Sequence, residues 1–197
     1  MNKQNYINLA KKSASLQISE LKKIKKVFNQ SFVKAIDLIL NCKGKIIFAG
    51  IGKSGIIAKK ISATFSSVGI PSFFCDPAQA LHGDMGQIEK KDILIIFSYS
   101  GNTSELNNMI KYANRYRIKI IGVASKVDSV LLKASDVKLI LPKVKEADIT
   151  GMVPTSSTSI TLLLGDCLAT TAMQIKKFSK EKFKIYHPGG NIGKSLL

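Results

Sequence analysis

Between Ser98 and Glu105 the chain places four aliphatic hydroxyls (Ser98, Ser100, Thr103, Ser104), a glycine (Gly101), an amide (Asn102) and a carboxylate. An apolar run from Ile93 to Phe97 leads into this stretch, and apolar residues at helical spacing (Leu106, Met109, Ile110, Ala113) follow it. The hydroxyls therefore fall in a turn between a strand and a helix N-terminus. Backbone N–H groups there have no intrahelical partner and carry the positive end of the helix dipole, so the turn favours an anion. Gly101 lets the backbone come close to such a guest. Ordinary Ser/Thr capping needs one hydroxyl. Four exceed that need, so a bound phosphate is the expectation, with simple capping as the alternative.

A second loop offers related chemistry. Gly50-Ile51-Gly52-Lys53-Ser54-Gly55 follows an apolar strand at 45–49 and precedes a helix at 56–68. It matches the G-x-G-x-x-G dinucleotide fingerprint, and the next strand, 71–75, ends at Asp76, where a ribose-binding acid would lie. A Walker A loop would need glycine where Ile47 stands, so that reading fails. An NAD-binding oxidoreductase survives locally. Little chain remains for a separate substrate domain, however, and a second anion loop suits a small phosphorylated ligand better. The chain has two histidines, and His82 sits in a glycine-rich connection rather than on an apolar face.

These groups need elements to position them. Two further strands at 119–124 and 137–141 alternate with helical segments at 106–116, 129–134 and 158–175. Strand–helix alternation predicts a parallel sheet with helices on both faces and ligands at the carboxyl ends of the strands. Both loops lie at that edge. Ahead of the first strand, 5–41 reads as helix, with apolar positions at Leu9, Leu16, Leu21, Ile24, Phe28, Phe32, Ile36 and Ile39 and a break near Asn29-Gln30. This arm, 1–42, either packs on the following domain, 43–197, or serves an oligomer interface.

Composition narrows the class. At 197 residues, 45 % apolar and 22 % charged, one domain with a real core is expected. The most apolar stretch, 160–173, is short and interrupted by Gly165-Asp166, so no membrane span is expected. The first residues lack an apolar signal core, and Cys42, Cys75 and Cys167 lack metal or disulfide spacing, which points to a reduced, cytoplasmic protein. The formal charge of +17 suggests attraction for acidic metabolites. No motif gathers the lysines, and the densest cluster, Lys22-Lys23 and Lys25-Lys26, falls on the polar face of a helix, so nucleic acid is not an expected partner.

Jointly, the motifs resemble the SIS (sugar isomerase) family. Ser98-Tyr99-Ser100-Gly101-Asn102-Thr103 fits its S-x-S-G-x-[ST] phosphosugar loop, and Gly50 to Gly55 fits its G-x-G-K-S-G loop. Leu81-His82-Gly83-Asp84-Met85-Gly86 is similar to the L-H-G-D-[LM]-G signature of the arabinose-5-phosphate isomerases, and Pro154-Thr155-Ser156-Ser157-Thr158 to their P-T-S-S-T segment. His187-Pro188-Gly189-Gly190-Asn191-Ile192-Gly193-Lys194-Ser195-Leu196-Leu197 resembles the family's ending, with Tyr186 replacing the usual serine. Glu146-Ala147 matches a family pair, although 148–153 departs from the pattern at preserved spacing. In full-length members a paired CBS module follows, so this chain is expected to be the isomerase part alone.

The resemblance implies an α/β fold, a three-layer sandwich with a five-stranded parallel sheet (the flavodoxin-like SIS fold). It also implies interconversion of D-arabinose 5-phosphate and D-ribulose 5-phosphate through an enediol, supplying Kdo for lipopolysaccharide or capsule. Such a reaction needs a carbon base, a proton shuttle and a cation for the oxyanion. Glu146 is the expected base, with Glu105 as second choice, His187 the shuttle and Lys53 the cation. Glu105 lies in a first helical turn, where the dipole favours its charged form. Glu146 comes from an irregular segment, 142–148, expected to be flexible and to close over the sugar. Gly52, Ser54, His82, Ser98, Ser100, Gly101, Asn102, Thr103, Thr155 and Ser156 are expected to surround the substrate. No cofactor is required, with His82 as the place where zinc could bind. A homo-oligomer, specifically a tetramer with the arm in its interface, is expected. A non-catalytic sugar-phosphate sensor stays as the alternative, with the lack of a helix-turn-helix segment against it.

Overall fold

The structure, a computed structural model, describes residues 3–189, so the ending from Gly190 to Leu197 lies outside the described residues. The chain opens with α1 (Lys3–Leu21), a 3₁₀ turn (Lys22–Val27) and α2 (Gln30–Asn41). Then come β1 (Ile46–Gly50), α3 (Lys53–Ser67), β2 (Ser72–Phe74), α4 (Pro77–Ala80), β3 (Ile93–Phe97) and α5 (Asn107–Arg115). β4 (Lys119–Ala124), α6 (Val130–Ala134), β5 (Val137–Ile140), α7 (Ser156–Ile175) and α8 (Lys180–Tyr186) complete it.

All five strands pair in parallel, in the order β2-β1-β3-β4-β5. This is the expected α/β sandwich. β1 and β3 are buried at every position, as strands covered on both faces by helices must be. Alternate side chains feed opposite layers. Ile46 and Phe48 join Ile36, Ile61 and Leu164 on the side of α2, α3 and α7. Ile47 and Ala49 join Leu106, Met109 and Leu131 on the side of α5 and α6. Each fully buried side chain of this size stabilises by roughly 1.5–3 kcal/mol.

Two details of this frame position the site. β1 and β3 pair from Ile46↔Ile93 to Gly50↔Phe97, so they end level and release their two loops side by side. The strand order reverses at this pair, which is where open α/β sheets bind ligands. On one face α7 lies against α3 at Gly165, where a Cβ would come 2.5 Å from Ile61 Cγ1. Only glycine permits that approach.

The helices differ from expectation at several ends. α3 begins at Lys53, three residues earlier, because Gly52 (φ +58) turns the chain directly into the helix. α7 begins at Ser156 rather than 158. The arm breaks at the expected place, and the Asn29 side chain caps α2 by accepting the Ser31 N–H at 2.8 Å. Its second half covers the sheet through Ile24, Val27, Ala35, Ile36 and Ile39, while Tyr6, Ile7 and Leu9 on α1 stay exposed. α4 and α8 were not anticipated. α4 carried a signal in Asp76-Pro77: Asp76 accepts the Ala78 N–H at 2.9 Å, and Pro77 fills the first helical position. Asp76 Oδ1 thus serves a helix cap, where a ribose-binding acid was the alternative. Among the described residues no helix is long and apolar enough to cross a membrane.

Candidate active site

The hydroxyl loop is shaped largely by its own side chains. Ser98 is 4 % exposed, and its Oγ pairs with Thr103 Oγ1 at 2.9 Å while accepting the Gly101 N–H at 3.1 Å. Ser100 Oγ accepts the Asn102 N–H at 3.3 Å, and Asn102 Oδ1 accepts the Val130 N–H at 3.0 Å. Gly101 (φ +69) sits where a Cβ would fall 2.2 Å from Ser129 Oγ, so α6 closes on the loop only with glycine there. The Ser104 hydroxyl donates to Glu105 at 2.8 Å. Ser98, Thr103, Asn102 and Ser104 therefore have work within the loop or against α6. Only Tyr99 and Ser100 of this stretch line the neighbouring cavity.

That cavity, of about 360 Å³, opens at the carboxyl edge of β1 and β3. Ile51, Lys53, Ser54 and Ile57 line it from the first loop and α3. Ser157, Thr158 and Thr161 line it from the first turns of α7, with Pro154 and Glu146 beside them. Lys53 and Glu146, residues of opposite charge, thus both line one cavity. Among the described residues Lys53 makes no ion pair, so the two charges stand apart with room between them.

Glu146 is held by the N-terminus of α7. Its Oε2 accepts the Thr155 N–H at 2.7 Å, the Thr155 hydroxyl at 3.0 Å and the Ser157 N–H at 3.3 Å. Oε1 is the oxygen not engaged by these three bonds. Burial pushes the Glu146 pKa up, but the Ser157 hydroxyl and the Thr155 and Ser157 donors outweigh it, so the carboxyl lies below its usual range. The dipole argument that made Glu105 the weaker base applies to Glu146 as well. Glu105 is also lowered, by its own backbone N–H and by Ser104, and it is exposed.

The segment carrying Glu146 is tied down, contrary to the expected flexibility. The Tyr99 hydroxyl donates to the Pro142 carbonyl at 3.1 Å and accepts the Val144 N–H at 3.0 Å. Glu20 of α1 accepts the Lys145 N–H at 2.9 Å. We call this five-residue segment, Pro142 to Glu146, the strap.

Other expected site residues are placed as follows. Thr155 stands behind Glu146, and its Oγ1 also accepts the Ala147 N–H at 2.8 Å. Ser156 is fully buried, and its Oγ has no hydrogen-bond partner among the described residues. Gly52 lines an adjoining cavity of about 530 Å³ with Phe74 and Asp76. His82 is exposed in the turn after α4. Among the described residues no group of three His, Cys, Asp or Glu side chains could hold a metal ion, at His82 or elsewhere. His187 stacks on Phe183 with ring centroids 3.9 Å apart, and its Nδ1–H donates to the Phe183 carbonyl at 2.8 Å. It follows α8, which packs near Gly69 past the far end of α3, roughly 20 Å along that helix from Lys53. The cavity therefore brings together Lys53, Ser54, Ser100 and Glu146, and leaves Glu105, His82 and His187 outside its lining.

Sequence reasoning missed Tyr99, Thr158, Thr161 and Glu20. Tyr99 occupies a variable place in the loop pattern. Ser157, Thr158 and Thr161 share a helix face, at spacing i, i+1 and i+4, which a finer phase analysis of α7 could have shown.

Residues 39–171 match the SIS domain family. An uncharacterized protein of Rickettsia prowazekii is 44 % identical over 196 residues, covering 100 % of this chain and 61 % of that one. The arabinose 5-phosphate isomerase GutQ of Salmonella typhimurium is 39 % identical over 191 residues, 97 % of this chain and 60 % of its own length. The chain thus spans about three fifths of the length of these curated relatives. Among solved structures, an Escherichia coli CFT073 protein in complex with arabinose 5-phosphate matches with a TM-score of 0.92 at 34 % identity, covering 95 % of this chain and 100 % of that one.

Proposed function

The chain belongs to the SIS domain family, and on that premise we propose that it is an aldose–ketose isomerase interconverting D-arabinose 5-phosphate and D-ribulose 5-phosphate. The observation that carries this reading is the pair of opposite charges, Lys53 and Glu146, facing one cavity of about 360 Å³ without neutralising each other. The reaction moves one proton between adjacent carbons and is redox-neutral within the sugar. Glu146 takes the proton from C2 of the aldose or C1 of the ketose and returns it to the neighbouring carbon. Lys53 stabilises the enediolate oxygen as charge develops there. Ser100, Ser54 and the start of α3 hold the phosphate, whose binding orients the sugar for transfer.

His187 stands too far from the cavity of its own chain to shuttle protons there, so it would serve a neighbouring copy. This ties the proposed activity to an oligomer, for which a tetramer is our expectation. The exposed Tyr6, Ile7 and Leu9 of α1 offer apolar surface for such contacts. The product of the reverse direction, arabinose 5-phosphate, would feed Kdo synthesis in the cytoplasm.

A coupled assay with arabinose 5-phosphate, glucose 6-phosphate and glucosamine 6-phosphate tests the reading. Turnover of the pentose alone is expected, and its absence would overturn the assignment. Sedimentation of a fully active monomer would overturn the oligomer and the role given to His187.

A further inference from the structure

The N-terminal arm reaches the strap through a buried carboxylate. Glu20, in the last turn of α1, is 6 % exposed. A buried charge is costly unless its partners are well placed, so those partners indicate its purpose. Glu20 Oε2 accepts the Lys145 N–H at 2.9 Å and pairs with the Lys23 ammonium, which in turn reaches the Lys143 carbonyl at 3.5 Å. These bonds, first from Lys23 and then from Lys145, hold the carboxyl below its usual range despite burial. One turn earlier, Gln17 Oε1 accepts the Ser159 hydroxyl at 3.4 Å, in the first turn of α7.

α1 therefore grips both structures that hold Glu146: the strap that carries it and the helix end that anchors it. Tyr99 also holds the strap, through Pro142 and Val144. Covering the core needs no charge at this position, since Ile24 and Val27 do that in the following turn. We propose that Glu20 is a positioning residue, which fixes the Lys145 N–H and so places the Glu146 carboxylate in the cavity. This rests on the reading of Glu146 as the base.

The test compares Glu20→Ala and Glu20→Gln in the full chain, by amide exchange and by turnover of arabinose 5-phosphate. In Glu20→Ala the Lys145 amide exchanges at least about tenfold faster, while β1 and β3 keep their protection. Its kcat falls about tenfold, as expected for a lost bond to a charged group, with KM changed less than about threefold. Glu20→Gln keeps an oxygen for the Lys145 N–H and restores both protection and most of kcat. Unchanged Lys145 exchange and kcat in Glu20→Ala overturns the proposal. So does loss of protection throughout the sheet, which makes Glu20 a general stability residue. If the unaltered protein turns over no sugar phosphate, the functional reading fails separately, and Lys145 exchange still decides whether Glu20 holds the strap.

Discussion

The hydroxyl loop and the strap face the same cavity and keep their shapes in opposite ways. The loop bonds largely to itself: Ser98 with Thr103, Gly101 with Ser98 and Asn102 with Ser100 are separated by five residues or fewer. The strap, by contrast, takes its partners from elsewhere. Val144 meets Tyr99 across 45 positions, and Lys145 meets Glu20 across 125. Most of the loop's side-chain bonds are thus local, although Asn102 and the loop backbone also bond to α6 and to the end of β4. The strap's restraints come from distant parts of the fold. Substitutions in the loop should therefore have short-range effects, and distant substitutions should act on the strap.

The largest effect that sharpens this contrast is at the end of the strap. Glu146→Gln should lower kcat by roughly 10²–10⁴-fold, the usual worth of a general base, with the protein still folded. Glu105→Gln, altering an exposed carboxylate, should lower it far less. Solvent-deuterium exchange at C1 of ribulose 5-phosphate separates the two: loss in the Glu105 variant with persistence in the Glu146 variant would reverse the assignment.

A smaller effect divides the loop itself. Ser100→Ala should raise KM about tenfold, or about 1.4 kcal/mol, because this hydroxyl lines the cavity. Ser98→Ala removes a bond buried inside the loop, and should instead lower unfolding stability by about 1 kcal/mol. Equal KM effects from both would show that the loop's hydroxyls act as one phosphate cradle.

The smallest effect concerns acid. Glu146 and Glu20 both have folded pKa values below their ordinary ones. The stability they contribute is present above the unfolded value, about 4.3, and is lost as pH falls through the folded values. The thermal midpoint should be nearly flat from pH 7 to roughly 5 and then decline. In Glu20→Gln the decline should be shallower. A midpoint that rises between pH 5 and 3 would contradict this account.

The same contrast explains what the residues alone could tell. β3 and β4 were legible end to end, because a strand covered on both faces reads as an apolar run, unbroken in β3 and opened by the exposed Lys119 in β4. The hydroxyl loop was legible as a motif, since its chemistry is packed into a few positions. Even so, the composition did not distinguish Ser100, which lines the cavity, from Ser98, which turns inward. The strap looked flexible because it lacks periodicity and its restraints are remote. Nothing in the pattern of α1 separates Glu20 from any other helix carboxylate until α1, the strap and α7 are brought together. α8 was missed because Lys180–Tyr186 is short and heavily charged, although Ser179 caps it by accepting the Lys182 N–H at 3.3 Å.

The close approach at Gly165 has a consequence for which sugars fit. α3 carries Lys53 in its first turn, and the first turn of α7 anchors Glu146. About one turn below Ile57 and Thr161 of the cavity lining, the two helices touch where glycine meets Ile61. The gap between cation and carboxylate is thus gauged at a place no substrate reaches, much as the jaw opening of a calliper is set at its slide. A methyl group added at Gly165 would wedge the helices apart and widen that gap. If the chain acts on sugar phosphates as proposed, such a change should broaden the chain lengths it accepts without altering any residue of the cavity wall.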